Sequence, residues 1–318
     1  MRKAGFRLLP VVFGLLTTIL PGFGSGNPSE RQGADLGFNA HVARPAYPNK
    51  RPRVLFDEAH HNADTSLGRY KPFTDLVTSD GYSVVPGTRS FSRAALTGFD
   101  VAVIVNAAGP GSQKDASPFT EEECDSVRDW VSAGGALLLI SDNAPYSAAA
   151  AKLSKRFDVE FTNGYTIDTS KYSKDGEDQS ELLFTRDDGL LGEHPINSGR
   201  EAAERINRVI SYSGTSLKGP DVAVPLLKLS DTAMDILPPD RKPTPDNPSP
   251  DHRQVSAAGR AQGIALKIGK GRVVVLGEAA MLTAQVAPRG FRFGMNVAGI
   301  DNRQFALNIM HWLSGLLR

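Results

Sequence analysis

From Arg53 onward, short and nearly unbroken apolar runs alternate with stretches whose apolar positions recur at helical spacing. "RVLFDEA" (53–59), "YSVVPG" (82–87), "FDVAVIVNAAG" (99–109) and "ALLLIS" (136–141) read as strands. Their continuous apolar character predicts burial on both faces, the environment of a parallel sheet covered by helices. "GRYKPFTDLVTSDG" reads as the first intervening helix. "SPFTEEECDSVRDWVSAGG" is a second, with Thr120 as N-cap, Glu123 as its capping-box partner, and Gly134 and Gly135 as terminator. "DNAPYSAAAAKLSKRF" starts a third. Near the C-terminus, "QGIALKIGKGRVVVLGEAAML" predicts two strands joined as a hairpin by "GKG" at 269–271. The closing helix, "DNRQFALNIMHWLSGLL", places Phe305, Ile309, Trp312, Leu313 and Leu316 on one stripe that should dock on the sheet.

Residues 159–260 break this rhythm and predict an irregular β-rich insertion. "VEFTNGYTI", "RVISYSGTSL" and "VAVPLLKLS" look like extra strands, and "DILPPDRKPTPDNPSPDH" carries the proline density of a loop. At the other end, residues 27–52 are rich in Pro, Gly, Asn and Arg, lack an apolar period, and predict a linker. Before them, Arg2, Lys3 and Arg7 precede an apolar run from Leu8 to Leu20 and then the small residues Gly24, Ser25 and Gly26. That order predicts a secretory signal over residues 1–26, hence a secreted or periplasmic protein. The run is short of the roughly 20 residues that cross a bilayer, so no stable membrane span is expected after cleavage.

Composition narrows the partners. Lys plus Arg number 36 against 35 Asp plus Glu, which leaves no excess charge to neutralise phosphates and argues against nucleic acid. The single cysteine, Cys124, excludes an internal disulfide and lipid attachment through an N-terminal cysteine. It shares a helical stripe with Val127 and Val131, the pattern of a core residue and not of a nucleophile.

In open parallel sheets, ligands bind beyond the carboxyl ends of the strands. The residues that follow the strands are therefore the candidate ligand-binding set: Asp57, Glu58, His60, His61 and Asn62; Asn106; Asp142 and Asn143; Glu278, Thr283 and Gln285; and Asp301 and Asn302 at the last helix.

A strand, a helix closed by Gly-Gly, the strand "GGALLLIS", a later "HPINSG" and a final "GRVVVLGEAAM" before the closing helix resemble the class I glutamine amidotransferase-like superfamily, specifically its exported bacterial members of unknown function. The resemblance spans roughly residues 53–150 and 260–318. It implies α/β class, with a flavodoxin-like doubly wound, mostly parallel sheet and its working site at the strand ends. True amidotransferases of that superfamily present a thiol on a G-x-C-x-G elbow. Here the turn after "ALLLIS" reads Asp142-Asn143-Ala144-Pro145, so cysteine-based glutamine hydrolysis is not expected. "NAPYS" likewise lacks the G-x-S-x-G form of an exposed serine nucleophile.

"DEAHHN" (57–62) admits three readings. Its polar groups cap a strand end, or form a ligand-recognition rim with Asn106, Asp142 and Glu278, or build an acid/base or divalent-metal site. Imidazole with carboxylates suits zinc or manganese, yet adjacent histidines on an extended segment point to opposite sides. His194 precedes a proline in a turn, His311 reads as a packing or surface residue, and His41 and His252 fall in predicted loops. The expectation is an exported, non-thiol amidotransferase-like domain that binds a polar small molecule or a cell-envelope component, with no resident cofactor. A carboxylate/histidine or metal-assisted hydrolase in the same cleft is the alternative, and a structural partner-binding domain using residues 159–260 a third.

Overall fold

The computed structural model describes residues 32–49, 51–174, 177–239 and 251–318. The expected export signal and most of the proline-rich segment lie outside these residues. Among them, no helix is long and apolar enough to cross a membrane.

The parallel half of the main sheet is built from β1 (Arg53–Asp57), β2 (Ser83–Gly87), β3 (Val101–Val105), β4 (Ala136–Ile140) and β9 (Gly271–Leu276). The helices α1 (Lys71–Ser79), α2 (Glu121–Ser132), α3 (Tyr146–Ser154) and α4 (Asn302–Leu313) cover it. An antiparallel half adds β5 (Glu160–Phe161), β6 (Leu217–Lys218), β7 (Val224–Lys228) and β8 (Ala261–Ile268). The strand order is β2-β1-β3-β4-β9-β8-β6-β5, with β7 also paired to β8. The order in which successive strands are laid down therefore reverses between the parallel neighbours β1 and β3, the switch point of a flavodoxin-like sheet. The fold is α/β, as the apolar pattern predicts.

Alternate residues of each parallel strand face opposite cores, which is why the strands are apolar throughout. Val54, Phe56, Val103, Leu138 and Val274 pack with α1 and α4 on one face. Leu55, Ile104, Leu137, Leu139 and Val275 pack with Cys124, Val127 and Val131 of α2 on the other. The capping box of α2 forms as its sequence predicts: Thr120 accepts from the Glu123 N–H, and Glu123 accepts from the Thr120 N–H.

The insertion departs from its expectation in detail. Ala233–Leu237 pairs with Tyr165–Asp168 and Arg253–Ser256, so Asp235, Ile236 and Leu237 belong to a strand and not to the proline-rich loop. The reason is Asp235, buried and bound by the hydroxyls of Thr166 (2.7 Å) and Ser216 (2.7 Å). Within the stretch expected as a linker, Gly33–Ala34 pairs with Ala284–Val286, and Phe38, Val42 and Tyr47 pack on the core.

Truncating Leu138, fully buried at the centre of the sheet, should cost about 2–5 kcal/mol of unfolding free energy. Val222→Ala, at a position 73% exposed, should stay within about 0.5 kcal/mol. Urea titration of both variants checks the assigned core; comparable losses would overturn it.

Candidate functional site

The strand-end edge divides into two polar clusters. The first forms around His60, whose ring is buried and stacked against Phe91 (4.7 Å between centroids) and Phe119 (4.6 Å). Its Nδ1 lies 2.8 Å from Asp57 Oδ1 and its Nε2 3.0 Å from Glu123 Oε1. Asn62 completes the group, donating to Asp57 Oδ2 (3.1 Å) and to the Val105 carbonyl (2.9 Å). Burial lowers the His60 pKa, but the hydrogen bonds and charges of Asp57 and Glu123 outweigh it and carry the value above the usual imidazole range. Burial likewise raises Glu123, and the Thr120 N–H and His60 outweigh that and hold its carboxyl low.

With both ring nitrogens taken by carboxylates, His60 has no lone pair for a metal or for a substrate proton. It ties the loop after β1 to the N-terminus of α2. His61 turns the other way, exposed and left-handed (φ 51°). Glu58 is held by the Ser66 N–H (2.8 Å) and hydroxyl (2.6 Å). Asp57, Glu58, His60 and Asn62 of the "DEAHHN" segment are thus bonded to one another and to the neighbouring loops at the strand end. Among the described residues, no group of three or more His, Cys, Asp or Glu side chains is arranged to hold a metal ion.

The second cluster lies across β3, β4 and β9. Asn106 ends β3 in a left-handed conformation (φ 43°), which an L-residue adopts at some cost in strain. Its side chain donates to Asp64 Oδ2 (2.8 Å) and accepts from the Asp142 N–H (2.9 Å). Arg69 Nε binds Asp64 Oδ1 at 2.7 Å while the arginine side chain as a whole remains 39% exposed. Asn143 reaches across to the Ser213 carbonyl (2.8 Å). Glu278 is fully buried and accepts from the N–H groups of Ala280 (2.5 Å) and Met281 (2.7 Å). Gly214 is required beside it, because a Cβ there would meet Glu278 Cβ at 2.5 Å.

These carboxyls push one another. Burial and then the charge of Asp142 raise Glu278 well above the carboxylate range. Asp142 is partly accessible, and burial, reinforced by the charge of Asp64 and opposed by Arg69, brings it to about 7. Tyr70, whose hydroxyl donates to the Ala279 carbonyl (2.7 Å), sits in the same field, its pKa raised by burial and by Asp64, Glu278 and Asp142. Burial thus holds the Asp142 carboxyl above the usual carboxylate range, in the field of the Arg69 guanidinium anchored on Asp64.

Other expected site residues serve the scaffold. Asp301 Oδ2 accepts from the Asn207 (2.7 Å) and Arg208 (3.0 Å) N–H groups, and Asn302 is bonded to both backbone groups of Ile210. Gln285 donates to Thr283 Oγ1 at 2.7 Å. His194 caps the short helix Pro195–Ser198, accepting from the Ile196 N–H (3.2 Å); burial, then Lys267 and Arg272, lowers it to about 4. Cys124 is buried in the core and its thiol pushed up to about 11 by that burial. The strand-end reading missed Asp64, Arg69, Tyr70 and the ligating role of Glu123. The capping pattern had marked Glu123, but not its reach to His60.

Among solved structures, the chain is similar to the mmIFT52 N-terminal domain, with a TM-score of 0.58 and 14% identity over 83% of this chain and 97% of that one. That likeness shows a shared fold. A ThuA-like protein from Bacteroides uniformis ATCC 8492 (TM-score 0.42, 12% identity, 86% of this chain and 93% of that one) is also similar. So is a GMP synthase-type protein from Thermoplasma acidophilum (0.42, 11%, 84% and 96%). No family model and no curated protein matches the chain.

Removing the imidazole in His60→Gln leaves two buried carboxylates facing each other and should cost roughly 3–5 kcal/mol at pH 5.5 to 6. The folded protein holds this proton more tightly than the unfolded chain, so the stability it confers is complete below about pH 6.5 and is lost as pH rises through the elevated folded value. Denaturation at pH 6 and pH 9 should show the gap between wild type and variant narrowing with pH. A gap that widens would contradict the assignment.

Proposed function

We propose that the chain is an exported, non-thiol, glutamine amidotransferase-like domain that binds a polar, hydroxyl-bearing ligand or a cell-envelope component at its strand-end edge. The observation that carries this reading is the geometry around Asp142: a carboxyl raised by burial, flanked by Asn106, Asn143 and the Asp64-anchored guanidinium of Arg69. Fixed amide and guanidinium groups with an amphoteric carboxyl match the alternating donors and acceptors of a polyol. Export rests on the order of charges, apolar run and small residues in positions 1–26.

A second reading shares the site. A carboxyl raised toward neutral pH is suited to general acid or base chemistry, so Asp142, with Asp64 and Arg69 tuning it, could serve a hydrolase. The first reading predicts binding without turnover.

Thermal unfolding in the presence of N-acetylglucosamine oligomers, maltotriose and muropeptides distinguishes them. A bound ligand at about 100 times its Kd adds roughly 2.7 kcal/mol, a rise of about 5 °C or more in a chain of this size. Asp142→Asn should abolish the rise while keeping a cooperative transition, and the ligand should be recovered intact. Cleaved ligand would favour the hydrolase. No shift with any of them, or a shift that survives Asp142→Asn, would overturn the proposal.

A further inference from the structure

Several polar groups of the strand-end edge are already matched. Asp64 has Arg69 Nε at 2.7 Å on one oxygen and the Asn106 amide at 2.8 Å on the other. Glu278 is fully buried and bound by two backbone N–H groups, and Asn143 gives its amide to the Ser213 carbonyl. Two groups have no hydrogen-bond partner among the described residues: the paired Nη nitrogens of Arg69, and the hydroxyl of Tyr146, the first residue of α3. Neither is sealed. The Arg69 side chain is 39% exposed, Tyr146 is half-buried, and neither group is among the atoms that lie unpaired in the interior.

Both groups are tied to Asp142. Arg69 is linked to it through Asp64 and then the Asn106 side chain, which accepts from the Asp142 N–H at 2.9 Å. Tyr146 is linked through the turn: Asp142 Oδ1 accepts from the Asn143 N–H (3.0 Å), and the Asn143 carbonyl accepts from the Tyr146 N–H (3.0 Å). The phenol lies in the field of Asp64, Arg69 and Asp142, which places its ring beside all three. What faces a ligand is therefore rich in donors: the Nη hydrogens and the phenol O–H, against the one carboxyl of Asp142. A free guanidinium edge pairs best with a planar anion, held by two parallel hydrogen bonds. Asp142 does not exclude that anion, because burial raises its carboxyl and lets it keep its proton and donate.

We propose that the strand-end site takes an acidic sugar, a pyranose bearing a carboxylate, with that carboxylate on the Nη edge of Arg69 and ring hydroxyls on Tyr146 and Asp142. The inference rests on the reading of this edge as a site for a hydroxyl-bearing ligand and narrows it to one charge class. Arg69 and Tyr146 set the specificity: the first selects the anion, the second orients the ring.

The test is calorimetric titration of the full protein with three pairs that differ in the carboxylate: D-glucuronate and D-glucose, D-galacturonate and D-galactose, N-acetylmuramate and N-acetylglucosamine. In at least one pair the acid should bind at least about tenfold more tightly than its neutral partner, the effect of a charge-assisted bidentate contact. Arg69→Lys, which keeps a cation on Asp64 and loses the fork, should remove most of that preference while the neutral sugar binds as before. Tyr146→Phe, which removes only an exposed hydroxyl and should keep the wild-type Tm, should weaken the acid by about fivefold. Neutral sugars that bind as tightly as their acids would overturn the acidic preference and leave the polyol reading standing. Binding of none of the six would overturn both, and a preference undiminished in Arg69→Lys and Tyr146→Phe would overturn the assignment of these two residues.

Discussion

Everything at the strand-end edge follows from one constraint: the parallel strands are buried on both faces, so their side chains have no room for polarity until the strands end. Phe56, Val103, Leu138 and Val275 fill the two cores. The residues immediately beyond, Asp57, Asn106, Asp142 and Glu278, emerge together at one edge, most of them still buried. Buried carboxylates are costly unless bound. The edge meets that cost in two ways: it surrounds a histidine with acids in one cluster, and it shifts protons onto carboxyls in the other.

The two solutions have different chemical consequences. The His60 cluster is closed, since its donors and acceptors are mutually satisfied and its ring is sandwiched between Phe91 and Phe119. It holds the loop after β1 against the N-terminus of α2. The Asp142 cluster is open, because Arg69 and Asp142 reach solvent while the buried Asp64 behind them raises Asp142. The turn after β4, Asp142-Asn143-Ala144-Pro145, carries no thiol.

The central sheet was legible because its signal is local: unbroken apolar runs, a capping box at Thr120 and Glu123, and a single apolar stripe on α4. Where the signal is long-range, it was not. Nothing near Asp64 in sequence announces that Asn106 will bind it, and the pairing of Ala233–Leu237 depends on Thr166 and Ser216, far away along the chain. His311 illustrates the limit most clearly. Its place on an apolar helix predicts packing, which is correct, but its bond to Asp80, 231 residues away, leaves one ring nitrogen facing inward and unpaired.

The account stands or falls on the proton held at Asp142. Carboxyl-detected NMR of the aspartate side chains, followed from pH 3 to pH 9, reads that proton directly. A resonance assigned to Asp142 should titrate with a midpoint of about 7, and the midpoint should fall in Asp64→Asn, where the neighbouring charge is gone. A midpoint near 4 in the wild type would mean an ordinary surface aspartate and would contradict the electrostatic basis of the strand-end site.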